Sequence, residues 1–248
     1  MTTVLKLGGS VVTEKDEPES VDEAALARTA DAVVDADVGD LVVVHGGGSF
    51  GHHHAATHGV STTDGTHDAT AIADIHGAMK RLNRRVVDAL LARDVPVVPV
   101  HPLSLCARDE EGALSLPHTS VETLLHEGFI PVLHGDLVAH AGAGTTVVSG
   151  DELVTALASG LNADRVGMCS TVPGVLDSDG SVVPQIEAFD DIADALGGSD
   201  STDVTGGMAA KVRALLALGA PAFVFGPAEL DAFLAGADAG TRIEGDRS

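Results

Sequence analysis

Residues 41–52 read LVVVHGGGSFGH, an apolar run that ends in a histidine and a triple glycine. The apolar run predicts a buried strand, and the glycines let the backbone turn sharply after it. Bare N–H groups in such a turn can approach an anion closely, especially where a helix begins. Residues 4–13, VLKLGGSVVT, repeat this order of strand and glycine turn.

Strand-like and helix-like segments alternate along the rest of the chain, which is typical of an α/β sheet layered between helices. Strands are predicted at residues 4–7, 41–45, 95–100, 129–134, 165–170 and 221–225, with a hairpin over 137–148 and a closing edge strand at 240–243. Helices are predicted over residues 21–36, 69–93, 119–127, 151–161, 208–218 and 229–234. Capping boxes are expected at 20–23 and 119–122.

The charge balance is strongly acidic, with 37 Asp and Glu against 14 Lys and Arg and a formal net charge of −23. Such a surface repels nucleic acid and anionic membranes, so we expect neither as a partner. Acid enrichment with few lysines is typical of proteins from salt-loving organisms, and we interpret it as an adaptation to a concentrated-salt cytoplasm. A protein this acidic must concentrate positive charge locally if it binds acidic substrates.

The composition also bounds the location of the protein. A hydrophobic content of 44% predicts a globular chain. No apolar run reaches membrane-spanning length and no leader precedes the first strand, so we expect a cytoplasmic protein. Cys106 and Cys169 lie far apart in apolar surroundings, which favours reduced core residues and suggests no metal site.

Lysine is scarce, and most of it lies near glycine turns. Lys6 and Lys15 flank the turn at Gly8 and Gly9, and Lys211 follows a further glycine pair at residues 206–207. Ammonium groups beside glycine turns favour phosphoryl transfer, although four lysines also leave chance placement open. The P-loop spacing G-x-x-x-x-G-K-[ST] does not occur, so a Walker-type nucleotide site is unsupported.

Five segments, in chain order, resemble the amino acid kinase superfamily: VLKLGGSVVTEK at 4–15, VHGGGSFGH at 44–52, VSGDEL at 148–153, VPGVLD at 172–177 and DVTGGMAAKV at 203–212. Within it, the first two segments are similar to the isopentenyl phosphate kinases. The resemblance implies one open three-layer αβα sandwich over residues 1–248 with a mainly parallel central sheet. It implies an acceptor-binding N-terminal lobe over about 1–145 and an ATP-binding C-terminal lobe over about 146–248.

The implied reaction transfers the γ-phosphoryl group of ATP to isopentenyl phosphate, with Mg²⁺, in a homodimer. By resemblance, Lys6 and Lys15 stabilise the transferring group and Lys211 contacts the nucleotide phosphates. Asp151 orients the lysines, with a simple helix N-cap as its alternative role. The nucleotide-binding positions implied are Lys6, Gly8, Gly9, Ser10, Gly47, Thr171, Gly174, Gly207 and Lys211.

His52 is the residue that points to a phosphate acceptor. A phosphate monoester is already an oxyanion near neutral pH, so it needs a hydrogen-bond donor rather than a general base. The family pattern assigns that grip to His52; a surface histidine cluster, or a metal site with His58, is the alternative. His53 and His54 are interpreted as incidental. The acceptor positions implied are Gly46, Gly47, Gly48, Gly51, His52, Ser149 and Gly150, with an apolar tail pocket at Ile72, Ile75, Leu137 and Val147.

Several alternatives remain open at this level. The four apolar residues could be ordinary core, and the acceptor could be a phosphonate, acetylglutamate or UMP. A nonenzymatic nucleotide-binding regulator is a further alternative. The joint presence of Lys6, Lys15, Asp151 and Lys211 argues against a regulator, because a sensor needs no transition-state charge.

Overall fold

A computed structural model of the protein describes residues 1–36, 39–196 and 207–245. The strands in these residues are β1 (Thr2–Leu7), β2 (Asp40–His45), β3 (Val97–Pro99), β4 (Ala107–Arg108), β5 (Leu114–Ser115), β6 (Ile130–His134), β7 (Asp136–His140), β8 (Gly144–Val148), β9 (Arg165–Cys169), β10 (Gln185–Ile186), β11 (Ala222–Phe225) and β12 (Thr241–Ile243). The helices are α1 (Gly9–Val12), α2 (Glu23–Val34), α3 (Gly48–His58), α4 (Ala69–Leu91), α5 (Pro102–Leu105), α6 (Thr119–His126), α7 (Gly150–Gly160), α8 (Ala193–Leu196), α9 (Gly207–Leu216) and α10 (Leu230–Leu234).

Eight of the strands form the central sheet, in the order β10-β12-β11-β9-β1-β2-β6-β3. Every pair in this sheet is parallel except β11 with β12. The mainly parallel α/β sheet expected from the sequence is therefore confirmed. The prediction of a closing edge at residues 240–243 was wrong, because β12 pairs on both sides and β10 lies outside it.

Alternate residues of the central strands pack against two different helical layers. Val4 and Val42 share a buried cluster with residues of α6, α7 and α9. Leu5 and Val43 share another with residues of α1, α2, α4 and α10. Strands covered on both faces need apolar residues at every position, which explains the unbroken runs in β1 and β2. The three-layer αβα sandwich follows.

A smaller sheet of four strands, in the order β5-β4-β7-β8, carries the predicted hairpin. Strands β7 and β8 pair antiparallel from Asp136 opposite Val148 to His140 opposite Gly144. Since β7 starts two residues after β6 ends, the hairpin is held beside the carboxyl end of the central sheet.

Two predicted capping boxes were wrong, as was the length of one strand. Helix α2 is capped by Asp22, whose carboxylate accepts the N–H of the residue three positions on at 2.8 Å, so the box at 20–23 does not form. Helix α6 follows His118, whose side chain makes no capping hydrogen bond in this described stretch. Strand β3 is limited to Val97–Pro99 because proline cannot donate to a strand ladder.

Helix α3 was not predicted. Its sequence contains two glycines and three successive histidines, residue types of low helix propensity, and it shows no apolar stripe. Tertiary packing stabilises the helix instead, because Phe50 is buried against Met79 and Leu82 of α4. The helix ends at Gly59, whose φ of 64° is the left-handed conformation typical of a helix C-terminus.

Among the described residues, no helix combines the length and apolar character needed to cross a membrane.

Candidate active site

The carboxyl ends of four neighbouring strands, β9, β1, β2 and β6, meet at one edge of the sheet, where ligands bind in open α/β folds. Their turns are tied together by three backbone hydrogen bonds: Gly8 N–H donates to Cys169 at 2.8 Å, Gly46 N–H to Leu7 at 2.9 Å and Gly135 N–H to His45 at 2.9 Å. The glycine turns predicted from sequence therefore lie side by side.

The turns touch through their backbones. A Cβ on Gly46 would lie 2.6 Å from the nitrogen of Gly9, and a Cβ on Gly9 would overlap the nitrogen of Gly48. A Cβ on Gly135 would lie 3.5 Å from the nitrogen of Gly150 and 3.7 Å from that of Gly47. The starts of α3 and α7 thus face the same space, and their first amides have no partners within the helix. Converging amides of this kind attract an anion.

Two lysines from distant segments share one carboxylate at this edge. Lys6, on β1, donates from Nζ to Asp151 Oδ1 at 2.6 Å, and Lys211 Nζ of α9 lies 3.8 Å from Asp151 Oδ2. All three side chains are largely buried, with exposed fractions of 14%, 16% and 21% for Lys6, Lys211 and Asp151. The three residues form a cationic cluster whose excess positive charge lies beside the glycine turns.

Asp151 does not cap α7, so the alternative role of a simple helix N-cap is wrong. The cap is Ser149, whose hydroxyl accepts the Glu152 N–H at 3.1 Å while the Glu152 carboxylate accepts the Ser149 N–H at 3.0 Å. Asp151 is therefore free to face the lysines. Burial by itself raises the pKa of Asp151, but the two ammonium groups and the hydrogen bond from Lys6 outweigh it and hold that pKa below its ordinary value.

A buried arginine that the sequence did not reveal braces the start of α7. Arg108 donates to Glu152 Oε1 at 2.6 Å and to the carbonyls of Gly112 at 3.0 Å and Val147 at 3.3 Å. Its side chain is 7% exposed. The contact joins the hairpin sheet to the helix that carries Asp151. Nothing local in the sequence indicates it, because the partners are 44 residues apart.

Other predicted site residues lie less deeply. Lys15 is exposed in the segment after α1 and takes no part in the ion-pair cluster of the described residues. Ser10 and His52 are exposed on α1 and α3, respectively. Gly51, one residue before His52, lies against Met79 of α4. The structure therefore gathers the turns and two of the three predicted lysines.

The four apolar residues predicted as a tail pocket do come together. Ile72 and Ile75 of α4 contact the hairpin residues Leu137 and Val147 in one cluster, joined by Val60 and Leu103. The cluster lies between α4 and the hairpin that leads to Ser149 and Gly150.

The predicted nucleotide positions Thr171 and Gly174 follow β9, and Gly207 is the first residue of α9. Thr171 is exposed after β9, whereas Gly174 is buried where a Cβ would lie 2.7 Å from Thr241 Oγ1, so packing alone accounts for that glycine. Gly207, with a φ of 67°, begins the helix that carries Lys211. Residue 206 lies outside the described residues.

His54 and His58 face carboxylates. His54 Nε2 lies 2.6 Å from Glu19 and His58 Nε2 lies 3.0 Å from Asp74, which ties α3 to α4 and to the preceding loop. Within the described ranges, no group of three His, Cys, Asp or Glu side chains could hold a metal ion. The alternative of a metal site at His58 receives no support from these residues.

Comparison with known proteins adds independent findings. The family model described as "Amino acid kinase family" matches residues 1–220. The chain is similar to an isopentenyl phosphate kinase of Haloferax volcanii, 69% identical over 98% of both chains, and to one of Methanothermobacter thermautotrophicus, 36% identical over 87% of this chain and 86% of the other. A crystal structure of isopentenyl phosphate kinase superposes with a TM-score of 0.83 at 28% identity, covering 98% of this chain and 99% of the other.

We expect Asp151→Asn to lower the free energy of unfolding at pH 7 by about 1–3 kcal/mol, because two partly buried ammonium groups then lack their anion. The folded-state pKa of Asp151 is depressed, so its contribution is complete above the ordinary value of 3.8 and is lost as the pH falls through the lower folded value. Denaturant unfolding of both proteins in molar KCl, from neutral to strongly acid pH, measures this.

Asp231→Asn is the matched control, since Asp231 is exposed in the first turn of α10 and should change stability by about 0.5 kcal/mol or less. A gap between wild type and Asp151→Asn that stays constant down to strong acid would contradict the ion pair.

Proposed function

The chain belongs to the amino acid kinase family, and on that premise we propose that it transfers the γ-phosphoryl group of ATP to isopentenyl phosphate, giving isopentenyl diphosphate and ADP. The observation that carries the proposal is the pair of ammonium groups from Lys6 and Lys211, held by Asp151 at the edge where the glycine turns meet. In this acidic protein, the two largely buried lysines lie where the phosphates of the donor and the acceptor would meet.

Transfer between two phosphates is mainly a problem of charge. Donor and acceptor repel each other, and the transferred group carries negative charge on its outer oxygens. Lys6, at the end of the central strand β1, stabilises the transferring group. Lys211 contacts the nucleotide phosphates one turn after Gly207. Because both ammonium groups are already positioned in the folded protein, little reorganisation is needed as charge develops.

Asp151 acts through the lysines. Its carboxylate accepts from Lys6 and attracts Lys211, so it sets where the two ammonium groups lie. Lys15, on the exposed segment after α1, assists from the rim of the site. Both roles are proposals that follow the family resemblance.

The acceptor's phosphate binds between the starts of α3 and α7. The amides of Gly46, Gly47, Gly48 and Gly150 supply donors there, and His52 supplies a further one from α3. No general base is needed, since the acceptor oxygen is already ionised. The branched hydrocarbon tail lies against the apolar cluster of α4 and the hairpin.

The two halves of the chain divide the work. Residues of about 1–145 supply most of the acceptor contacts, completed by Gly150 at the start of α7, and residues of about 146–248 supply most of the ATP contacts, among them Thr171, Gly174 and Gly207. Magnesium would arrive with the nucleotide, because the described residues offer no cluster of ligands that could hold the ion alone and the Asp151 carboxylate is engaged by the lysines.

We further propose a cytoplasmic homodimer that works in concentrated salt. A net charge of −23 makes the folded chain repel itself, and salt screens that repulsion. Assays therefore belong in molar KCl.

Purified protein with ATP, Mg²⁺ and isopentenyl phosphate should form isopentenyl diphosphate, and acetylglutamate and UMP should not react. Lys6→Met should lower kcat by roughly 10³-fold, because the positive charge of Lys6 stabilises the transition state more than it stabilises the bound substrates. Lys80→Met, on the exposed face of α4, is the control and should retain activity. Folded wild-type protein that transfers nothing to isopentenyl phosphate would refute the proposal.

His52→Ala should weaken the binding of the acceptor and leave the binding of ATP unchanged. We expect the KM for isopentenyl phosphate to rise about 10–100-fold, the usual effect of losing one hydrogen bond to a charged group, while the KM for ATP stays close to the wild-type value. His53→Ala removes the neighbouring exposed imidazole and should change neither constant. Steady-state kinetics with each substrate varied in turn decide this, and equal effects of the two variants would remove His52 from the acceptor site.

A further inference from the structure

Two neighbouring strands end in the same dipeptide. Strand β2 ends at His45, which precedes Gly46, and β6 ends at His134, which precedes Gly135. The two histidines are paired in the sheet register, and their rings stack with centroids 5.6 Å apart. Both are fully buried. A pair of buried imidazoles behind the glycine turns is unusual enough to need a reason, since buried polar groups are costly unless they are hydrogen-bonded.

Each ring makes the same contact with its own following residue. His45 Nδ1 lies 3.0 Å from the Gly46 carbonyl oxygen, and His134 Nδ1 lies 2.9 Å from that of Gly135. A carbonyl oxygen only accepts, so Nδ1 must carry the proton in both rings. Each histidine therefore holds one glycine carbonyl on the buried side of the sheet edge.

Holding a carbonyl fixes the amide on the other side of the same peptide plane. In a trans peptide the C=O and the following N–H point in opposite directions. With the Gly46 carbonyl held by His45, the N–H of Gly47 points away from the buried ring, and Gly47 directly precedes α3. A Cβ on Gly135 would lie 3.7 Å from the nitrogen of Gly47 and 3.5 Å from that of Gly150, so the two nitrogens border the same space. The ring of His45 thus aims an amide of the proposed phosphate cradle.

His134 holds the second turn in the same manner, and the two turns are linked. The Gly135 N–H donates to the His45 carbonyl at 2.9 Å, so the residue whose carbonyl His134 holds also supports the backbone of His45. A loss at either ring would therefore loosen both turns.

The remaining ring nitrogens can also be paired when both rings are neutral. With Nδ1 protonated, a neutral ring accepts at Nε2, and His134 Nε2 lies 2.8 Å from His101 Nδ1, which then donates. His45 Nε2 lies 3.1 Å from Asn83 Oδ1. An oxygen there would require a second ring proton, and a charged ring is costly at a fully buried position, so the Asn83 amide is assigned the flipped orientation in which its nitrogen donates to Nε2. With the Asn83 amide in that orientation, every ring nitrogen of the pair has a partner when both rings are uncharged.

Burial favours neutral rings despite a nearby carboxylate. Burial lowers the pKa of His134 to about 3 and lowers that of His45, although the nearby Asp136 carboxylate opposes the change in both. That carboxylate is itself occupied, since His76 Nδ1 on α4 lies 2.9 Å from both of its oxygens. The other titratable groups facing the pair are His101, beyond β3, and Lys80, which acts on His101. Both pKa values therefore lie below the ordinary histidine value of 6.5, so both rings are neutral at neutral pH.

We propose that His45 and His134 are positioning residues for the acceptor's phosphate, whose Nδ1–H groups hold two glycine carbonyls inward so that the amides of the Gly46–Gly48 turn face the anion. The inference rests on the proposed function for the identity of the ligand, a phosphate monoester. Neither ring touches the substrate.

Asparagine and glutamine separate this role from simple packing. Asparagine carries its amide N–H close to where the Nδ1–H of histidine lies, whereas glutamine carries it near Nε2. We expect His134→Gln to raise the dissociation constant of isopentenyl phosphate about tenfold and His134→Asn to raise it about threefold at most, the difference being one hydrogen bond. ATP affinity should hardly change. The pair His45→Asn and His45→Gln should behave alike, and calorimetric titration in molar KCl measures both ligands.

Glutamine is closer to histidine in volume than asparagine is. If the rings only fill space, the glutamine variant should therefore raise the dissociation constant of isopentenyl phosphate no more than the asparagine variant does. That result would overturn the proposal. If the variants do not fold, NMR of ¹⁵N-histidine in the wild-type protein decides. Rings protonated only at Nδ1 and still neutral at pH 5 support the proposal; protonation at Nε2 overturns it. Wild-type protein that binds isopentenyl phosphate without transferring phosphate to it would remove the proposed function and leave this inference intact.

Discussion

The shared carboxylate of Asp151 is the interaction on which the site depends. Two ammonium groups within reach of each other repel, and both lose hydration when they are largely buried. One anion between them offsets the repulsion and fixes the direction of each side chain. The cluster of Lys6, Asp151 and Lys211 remains net positive, so it can still attract phosphate inside a protein of net charge −23.

The fold brings these three residues together because of where β1 lies. Strand β1 pairs with β2 on one side and β9 on the other, so its carboxyl end opens between the two halves of the chain. Lys6 lies near that end of the strand. Helix α7 starts opposite, capped by Ser149 and braced by Arg108, which leaves the Asp151 carboxylate free for the lysines. Glycines at the neighbouring turns remove the side chains that would fill the intervening space.

The elements with a strong local signal could be predicted from the sequence. Continuous apolar runs gave β1, β2, β6 and β9, and an apolar stripe gave α4. The lysines of the cluster were found because glycine turns and phosphate chemistry share a recognisable pattern. Helix α3 was missed because packing of Phe50, not propensity, stabilises it. Its exposed His52 keeps its role only as a proposal.

What the sequence could not reveal depends on contacts between distant residues. Arg108 meets Glu152 across 44 residues, and a helix cap shifted by two positions changed what Asp151 does. The buried histidines had a faint signal: an apolar run followed by His and Gly occurs at 41–46 and again at 130–135. Its meaning needs the sheet order, since only adjacent strands place the two rings together.

A double-mutant cycle on the two lysines tests whether they act as one cluster. The dissociation constant of an analogue that joins ATP to isopentenyl phosphate would be measured for wild type, Lys6→Met, Lys211→Met and the double variant. Because both ammonium groups share Asp151 and meet the same phosphates, their effects should depart from additivity by about 0.5–3 kcal/mol. Additive losses within about 0.3 kcal/mol would mean that the two lysines act separately, and the cationic cluster would not be the basis of the site.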